Sequence, residues 1–321
     1  MATGLQGEGD MAADTGRGRV LAYLALYAAL WGGAFGYLYF KQADWSFPLV
    51  SLGVFGVALS GLAWVLTRNS DPPPVRVRRP TLELTAVLVF MVIYAVGFLG
   101  LGMQVLKAAL PEGQTRELVI LAAKLAVHVA IPALILLALG GRVAPLFSSG
   151  LDRKGFWPTL IVMGAIFLAL LSVVSPSLGQ IAALQPGLQV LAWAAPAAFI
   201  WIALEAGLAE EFLFRAVLQT RLAAVLRSET GAVILGALVF ALAHVPGLYL
   251  RGAPGEQGHS TDLFEVIAYT IGALSPVALM LGVIWARTRS LLLVVPLHAA
   301  IDVLPILPEF LTTWAGLTPV S

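Results

Sequence analysis

The chain has 321 residues, of which 59% are hydrophobic and only 12% charged, and its formal net charge is +1. Soluble domains carry about 25% charged residues, and a water-soluble protein of this make-up would expose apolar patches large enough to aggregate. An ordinary soluble domain is therefore excluded, no basic stripe points to a nucleic-acid partner, and the absence of cysteine rules out disulfides, thiolate metal sites and a cysteine nucleophile.

Residues 1–19 are polar and mixed in charge, and are read as a cytoplasmic tail. The apolar run after them is too long for the core of a cleavable signal and long enough to span. With about 20 apolar residues needed per crossing, the chain divides into nine candidate spans. They are 20–40, 47–67, 82–103, 118–140, 157–176, 188–220, 231–250, 263–286 and 290–313. None shows the period-2 alternation of a barrel strand, so the expected fold is all-α, a polytopic transmembrane helical bundle. The proline-rich segment 68–80 is the clearest linker and 251–262 a second polar loop. No internal repeat is visible, and the first two helices are expected to be peripheral.

With nine spans, thirteen Lys and Arg residues, from Arg17 to Arg289, fall on one side of the membrane. Only Lys41, Lys107, Arg116 and Arg251 fall on the other. The positive-inside rule places the N-terminus in the cytoplasm and the C-terminus outside. The expected location is the plasma membrane, as a multi-pass protein.

An ionisable side chain inside a span costs about 2.5–3.5 kcal/mol on insertion scales and marks function by default. The sixth span carries Glu205, Glu210, Glu211 and Arg215. Glu211 and Arg215 are four apart and share a face. Glu210 points roughly 100° away and has no cation on its own helix. The seventh span carries Phe240 and His244, followed by Pro246; the ninth carries His298 and Asp302, preceded by Pro296. Those prolines are expected to loosen the backbone and make room for water. Lys124 and His128, on the fourth span, are read as a lysine reaching outward and a histidine bonded to a neighbour. Glu83 and Glu309 lie near span ends, where the interface solvates them, and His259 lies in a solvated loop.

A carboxylate and two imidazoles in a membrane cavity fit hydrolysis by activated water. Glu210 would take the proton of water, His244 would help to hold that water, and His298 would stabilise the oxyanion. Asp302, one turn from His298, would fix its tautomer. Zinc held by Glu210, His244 and His298 is the other route that these residue types allow. Other intramembrane protease classes fit less well: there is no H-E-x-x-H, no G-x-S-G and only one aspartate inside a span. A non-catalytic immunity or partner protein, and a proton-coupled transporter, are the competing classes. The transporter would show ionisable residues in both halves of the chain.

Glu210-Glu211-x-x-x-Arg215, Phe240-x-x-x-His244 and His298-x-x-x-Asp302, in that order on membrane helices, resemble the three motifs of the CAAX prenyl protease and bacteriocin-processing (CPBP) family of intramembrane proteases. The resemblance covers roughly 155–312 and leaves residues 20–150 as lineage-specific helices. It implies Glu210 as the water-activating base, His244 as its partner, and His298 with Asp302 on the oxyanion side. Glu211, Arg215 and Phe240 are implied as supporting residues. No bound cofactor is favoured. The implied partners are membrane lipids and a membrane-bound or lipidated peptide or protein substrate. The best-known prenyl protease members carry asparagine where this chain has Asp302, and an ionised aspartate cannot donate to an oxyanion.

Overall fold

A computed structural model describes residues 3–253 and 256–319, with side chains from residue 16 onward. Among the described residues there is no strand, and nine helices are long and apolar enough to cross a membrane. They are α1 (Gly16–Lys41), α2 (Ser46–Leu66), α3 (Pro80–Ala109), α4 (Gln114–Ala138), α5 (Phe156–Val174), α6 (Leu188–Leu226), α7 (Glu229–Arg251), α8 (Leu263–Thr288) and α9 (Leu291–Ala315). The expected all-α bundle is what the chain forms, with span ends within a few residues of those read from hydropathy, except at α3 and α6, which each run six residues further.

Local chemistry sets the ends. Pro80 opens α3, where a missing N–H costs nothing. Ser228, Asp262 and Ser290 cap α7, α8 and α9 by accepting from the backbone N–H of Gly231, Phe264 and Leu293. Left-handed residues, Arg227 and Arg289, terminate α6 and α8. Pro296 sits inside an unbroken α9, so the local opening expected there does not occur. The opening expected near Pro246 is partly realised: α7 is jointed at His244, whose N–H bonds Ala241, three residues back, and a short helix resumes from Val245.

The helices are not equivalent. α8 runs through the centre, with Met280, Ile284 and Trp285 showing no exposure. It is flanked by α7, α2 and α1. The first two spans lie on the outside of the bundle but are bonded to this centre: Trp31 donates to the Gly272 carbonyl and Ser51 to that of Ala273. α9 packs along α6 and α5, and α4 touches α6. The outer faces of α1 to α5 expose large apolar side chains such as Phe40, Val92, Leu134 and Ile161, the surface a bilayer covers.

α6 departs from ordinary helical geometry. It makes wide i→i+5 turns over Ala203–Leu208 and again over Glu211–Gln219. The same wide winding occurs in α2, α3, α4 and α8, so it does not by itself mark the site. Glu210 lies at the junction of the two. Every residue from 211 to 219 is buried, so this stretch faces protein on all sides.

Candidate active site

The site is built where α6 and α9 cross. Gly207 permits the approach: a Cβ added there would lie 2.8 Å from the Val295 carbonyl oxygen of α9. Just beyond this crossing, His298 is held between the helices. Its Nδ1 is 2.8 Å from Glu211 Oε1. A carboxylate oxygen only accepts, so Nδ1 carries the proton. Glu211 is wholly buried, and its other oxygen lies 3.2 Å from Arg215 Nε. That contact is electrostatic and poorly aligned, since neither atom completes a hydrogen bond. The Arg215 guanidinium carbon stands 4.9 Å from the centroid of the Phe240 ring. The aromatic face supplies the cation with a partner and explains why a phenylalanine accompanies the ionisable residues.

The other edge of His298 faces two more carboxylates. Nε2 lies 3.1 Å from Asp302 Oδ2 and 3.8 Å from Glu210 Oε2. Three carboxylates thus surround one imidazole. Two unprotonated acceptors in contact would repel, so a proton resides on Nε2 or on the carboxylate opposite it. Asp302 contacts His298 as the sequence reading expects, from the Nε2 side. Glu211, expected only as half of an ion pair with Arg215, anchors the ring from the Nδ1 side, and Asp302, partly exposed, stands at the reacting edge.

His244 completes the set from α7. Its Nδ1 donates to the Phe240 carbonyl at 2.8 Å, so the ring is oriented from its own helix. Glu210 and His244 line one cavity of about 400 Å³; His298 and Asp302 do not line it, and His298 is linked to it through Glu210, 3.8 Å from its Nε2. The sequence reading required one wet pocket shared by helices six, seven and nine; α6 contacts both α7 and α9, while of the three residues only Glu210 and His244 line the cavity. Among the described residues no group of three or more His, Asp or Glu side chains forms a metal-ligand arrangement. His298 does not line the cavity with Glu210 and His244, and its Nε2 is engaged by Asp302, so the three residues as placed do not form a zinc-ligand set.

Residues that sequence reasoning left outside the site also reach it. Lys124 does not extend to the interface as expected; its Nζ lies 2.6 Å from Glu205 Oε1, and both line the cavity. A tertiary partner on another helix decided this, and no local pattern signalled it. His128 is bonded to neighbours as expected, with Nδ1 on the Lys124 carbonyl and Nε2 accepting from the Tyr94 hydroxyl at 2.8 Å. Two further expectations fail. Glu83 is fully buried, accepting from Arg221 and from the N–H groups of Arg78 and Arg79. His259 is half-buried and donates to the Leu248 carbonyl.

A helical membrane bundle that gathers buried carboxylates and imidazoles around a polar cavity has the make-up of an intramembrane hydrolase. Residues 191–304 match the family described as type II CAAX prenyl endopeptidase Rce1-like, in keeping with the CPBP resemblance of the motifs. All seven motif residues lie within the matched stretch. No curated protein and no solved structure matches the chain.

Proposed function

We propose that this chain is an intramembrane endopeptidase of the glutamic type, acting on membrane-bound or lipidated peptide and protein substrates. A water between Glu210 and His244 is the nucleophile. Glu210 accepts one of its protons as the oxygen attacks the scissile carbonyl, while His244 Nε2 accepts a hydrogen bond from the same water and fixes its lone pair. The carbonyl oxygen gains charge beside His298 Nε2, which donates to it; Asp302 holds that proton at the reacting edge until it is needed. Glu210 then returns its proton to the departing amine, and the C–N bond breaks. Glu211 and Arg215 keep the imidazole oriented. Lipid surrounds the bundle, and the arginine distribution puts the N-terminus in the cytoplasm and the C-terminus outside the plasma membrane.

The observation that carries this reading is the approach of Glu210 to His298 at 3.8 Å, with Glu210 also lining the cavity that His244 lines. Purified protein in vesicles, offered an internally quenched prenylated peptide and a membrane-anchored reporter protein, tests it. Glu210→Gln, His244→Ala and His298→Ala should each lower cleavage by at least about 10²-fold, the scale of general-base removal, with insertion unchanged. Undiminished cleavage by Glu210→Gln, or no cleavage of either probe by the wild-type chain, overturns the proposal.

A further inference from the structure

The cavity is a well bordered at one end by polar and charged side chains. Toward its other end the helices pack tightly. Phe212, Leu213 and Phe214 of α6 and Leu293, Val294 and Leu297 of α9 show no exposure. Beyond them the arginine-rich face of the bundle is tied together. Arg221 bonds the buried Glu83, Arg287 donates to the carbonyls of Thr67 and Arg68, and Arg289 pairs with Glu229. The polar end lies at the opposite face. Its rim carries Lys107, Glu117, Arg251, Glu256, Glu309 and Thr313, which belong to the far ends of α3, α4, α7 and α9 or the loop after α7. On α9, Thr313 is eleven residues beyond Asp302, so the rim stands about 16 Å from the reacting edge of His298 at 1.5 Å per residue.

The rim is on the side of the membrane that receives only Lys41, Lys107, Arg116 and Arg251 of the loop cations. By the positive-inside rule that side is non-cytoplasmic. The rim charges are of both signs, and several are already engaged: Arg116 contacts Glu112 and Glu117, and Arg251 donates to the Leu99 carbonyl. Such a border holds water and suits an extended, hydrated polypeptide better than an apolar helix arriving from lipid.

We infer that the well is entered from the non-cytoplasmic side, so that the peptide segments it takes are those that exported or membrane-anchored proteins present on that face. The term substrate rests on the proposed protease reading. The route itself rests on the cavity and the charge distribution.

The chain contains no cysteine, so single cysteines report access directly. Full-length variants Thr313→Cys and Glu256→Cys at the rim, Leu248→Cys inside the well and Asn69→Cys on the arginine-rich face are expressed in cells and treated with a membrane-impermeant maleimide. The first three should label fully in intact cells, with no gain after permeabilisation. Asn69→Cys should label only after permeabilisation. Labelling of Asn69→Cys in intact cells, with the rim positions protected, overturns the assigned side. Labelling of the rim without Leu248→Cys overturns a well open to it. Two rim positions guard against a single variant that fails to fold. Labelling needs no turnover, so a chain that labels as expected but cleaves nothing sinks the protease reading and leaves the route standing.

Discussion

Glu211 and Arg215 present a buried charge pair whose value to the protein differs between folding and chemistry. Both are shielded from solvent, and the pair lacks well-aligned hydrogen bonds. Removing one partner leaves the other charge uncompensated, which costs about 3–5 kcal/mol, whereas replacing both with apolar groups of similar volume is often neutral. Glu211→Ala should therefore lower thermal stability in detergent by that amount. The double variant Glu211→Leu with Arg215→Met should recover most of the stability and still fail to cleave, because His298 loses the acceptor that fixes its ring. A double variant that cleaves normally would show that Glu211 has no positioning role.

At the scale of elements, the crossing of α6 and α9 determines whether Glu210 and His298 meet. Gly207 is the contact point, with the Val295 carbonyl oxygen 2.8 Å and its Cγ1 3.2 Å from where a methyl would stand. Both are held by an intact helix, so Gly207→Ala must push the helices apart. Overpacking of this kind costs about 1–3 kcal/mol. Cleavage should fall further than the stability change accounts for, since the 3.8 Å approach of Glu210 to His298 widens; kcat and unfolding temperature, measured together, check this. The spans themselves were legible in the sequence because a bilayer crossing imposes a length and a hydropathy that the nine segments satisfy. The wide turns of α6 were not, since they arise from how its neighbours pack and leave no local signature.

At the scale of the molecule, α1 is fastened to the start of α8 by Asp262, which accepts from the Tyr37 hydroxyl at 2.8 Å and from Lys41 Nζ at 3.1 Å. Those bonds, the tyrosine's first, hold the Asp262 carboxyl below its usual range. A carboxyl depressed in the folded state contributes stability above its unfolded pKa and loses it as pH falls through the folded value. Acidification should therefore loosen α1, read as faster hydrogen exchange along that helix. Asp262→Asn should show faster exchange at neutral pH and little further change in acid. The effect is small, because the group is largely in water.

The motif residues of the candidate site were readable because charge in a span is costly and stands out against apolar neighbours. The contribution of the first four helices was not. Lys124 on α4 meets Glu205 on α6 at 2.6 Å, across eighty-one positions of chain, and Tyr94 and His128 lock α3 to α4 behind it. These contacts lie outside the 191–304 match on at least one side, and only tertiary packing reveals them.

The packing beneath the site also constrains traffic. Phe214, Leu293 and Leu297 are wholly buried on that side, so no passage runs through them toward the arginine-rich face. On the proposed protease reading, fragments formed beside Glu210 would leave by the rim or sideways past the partly exposed Asp302, and their departure would cap turnover however fast the bond is broken.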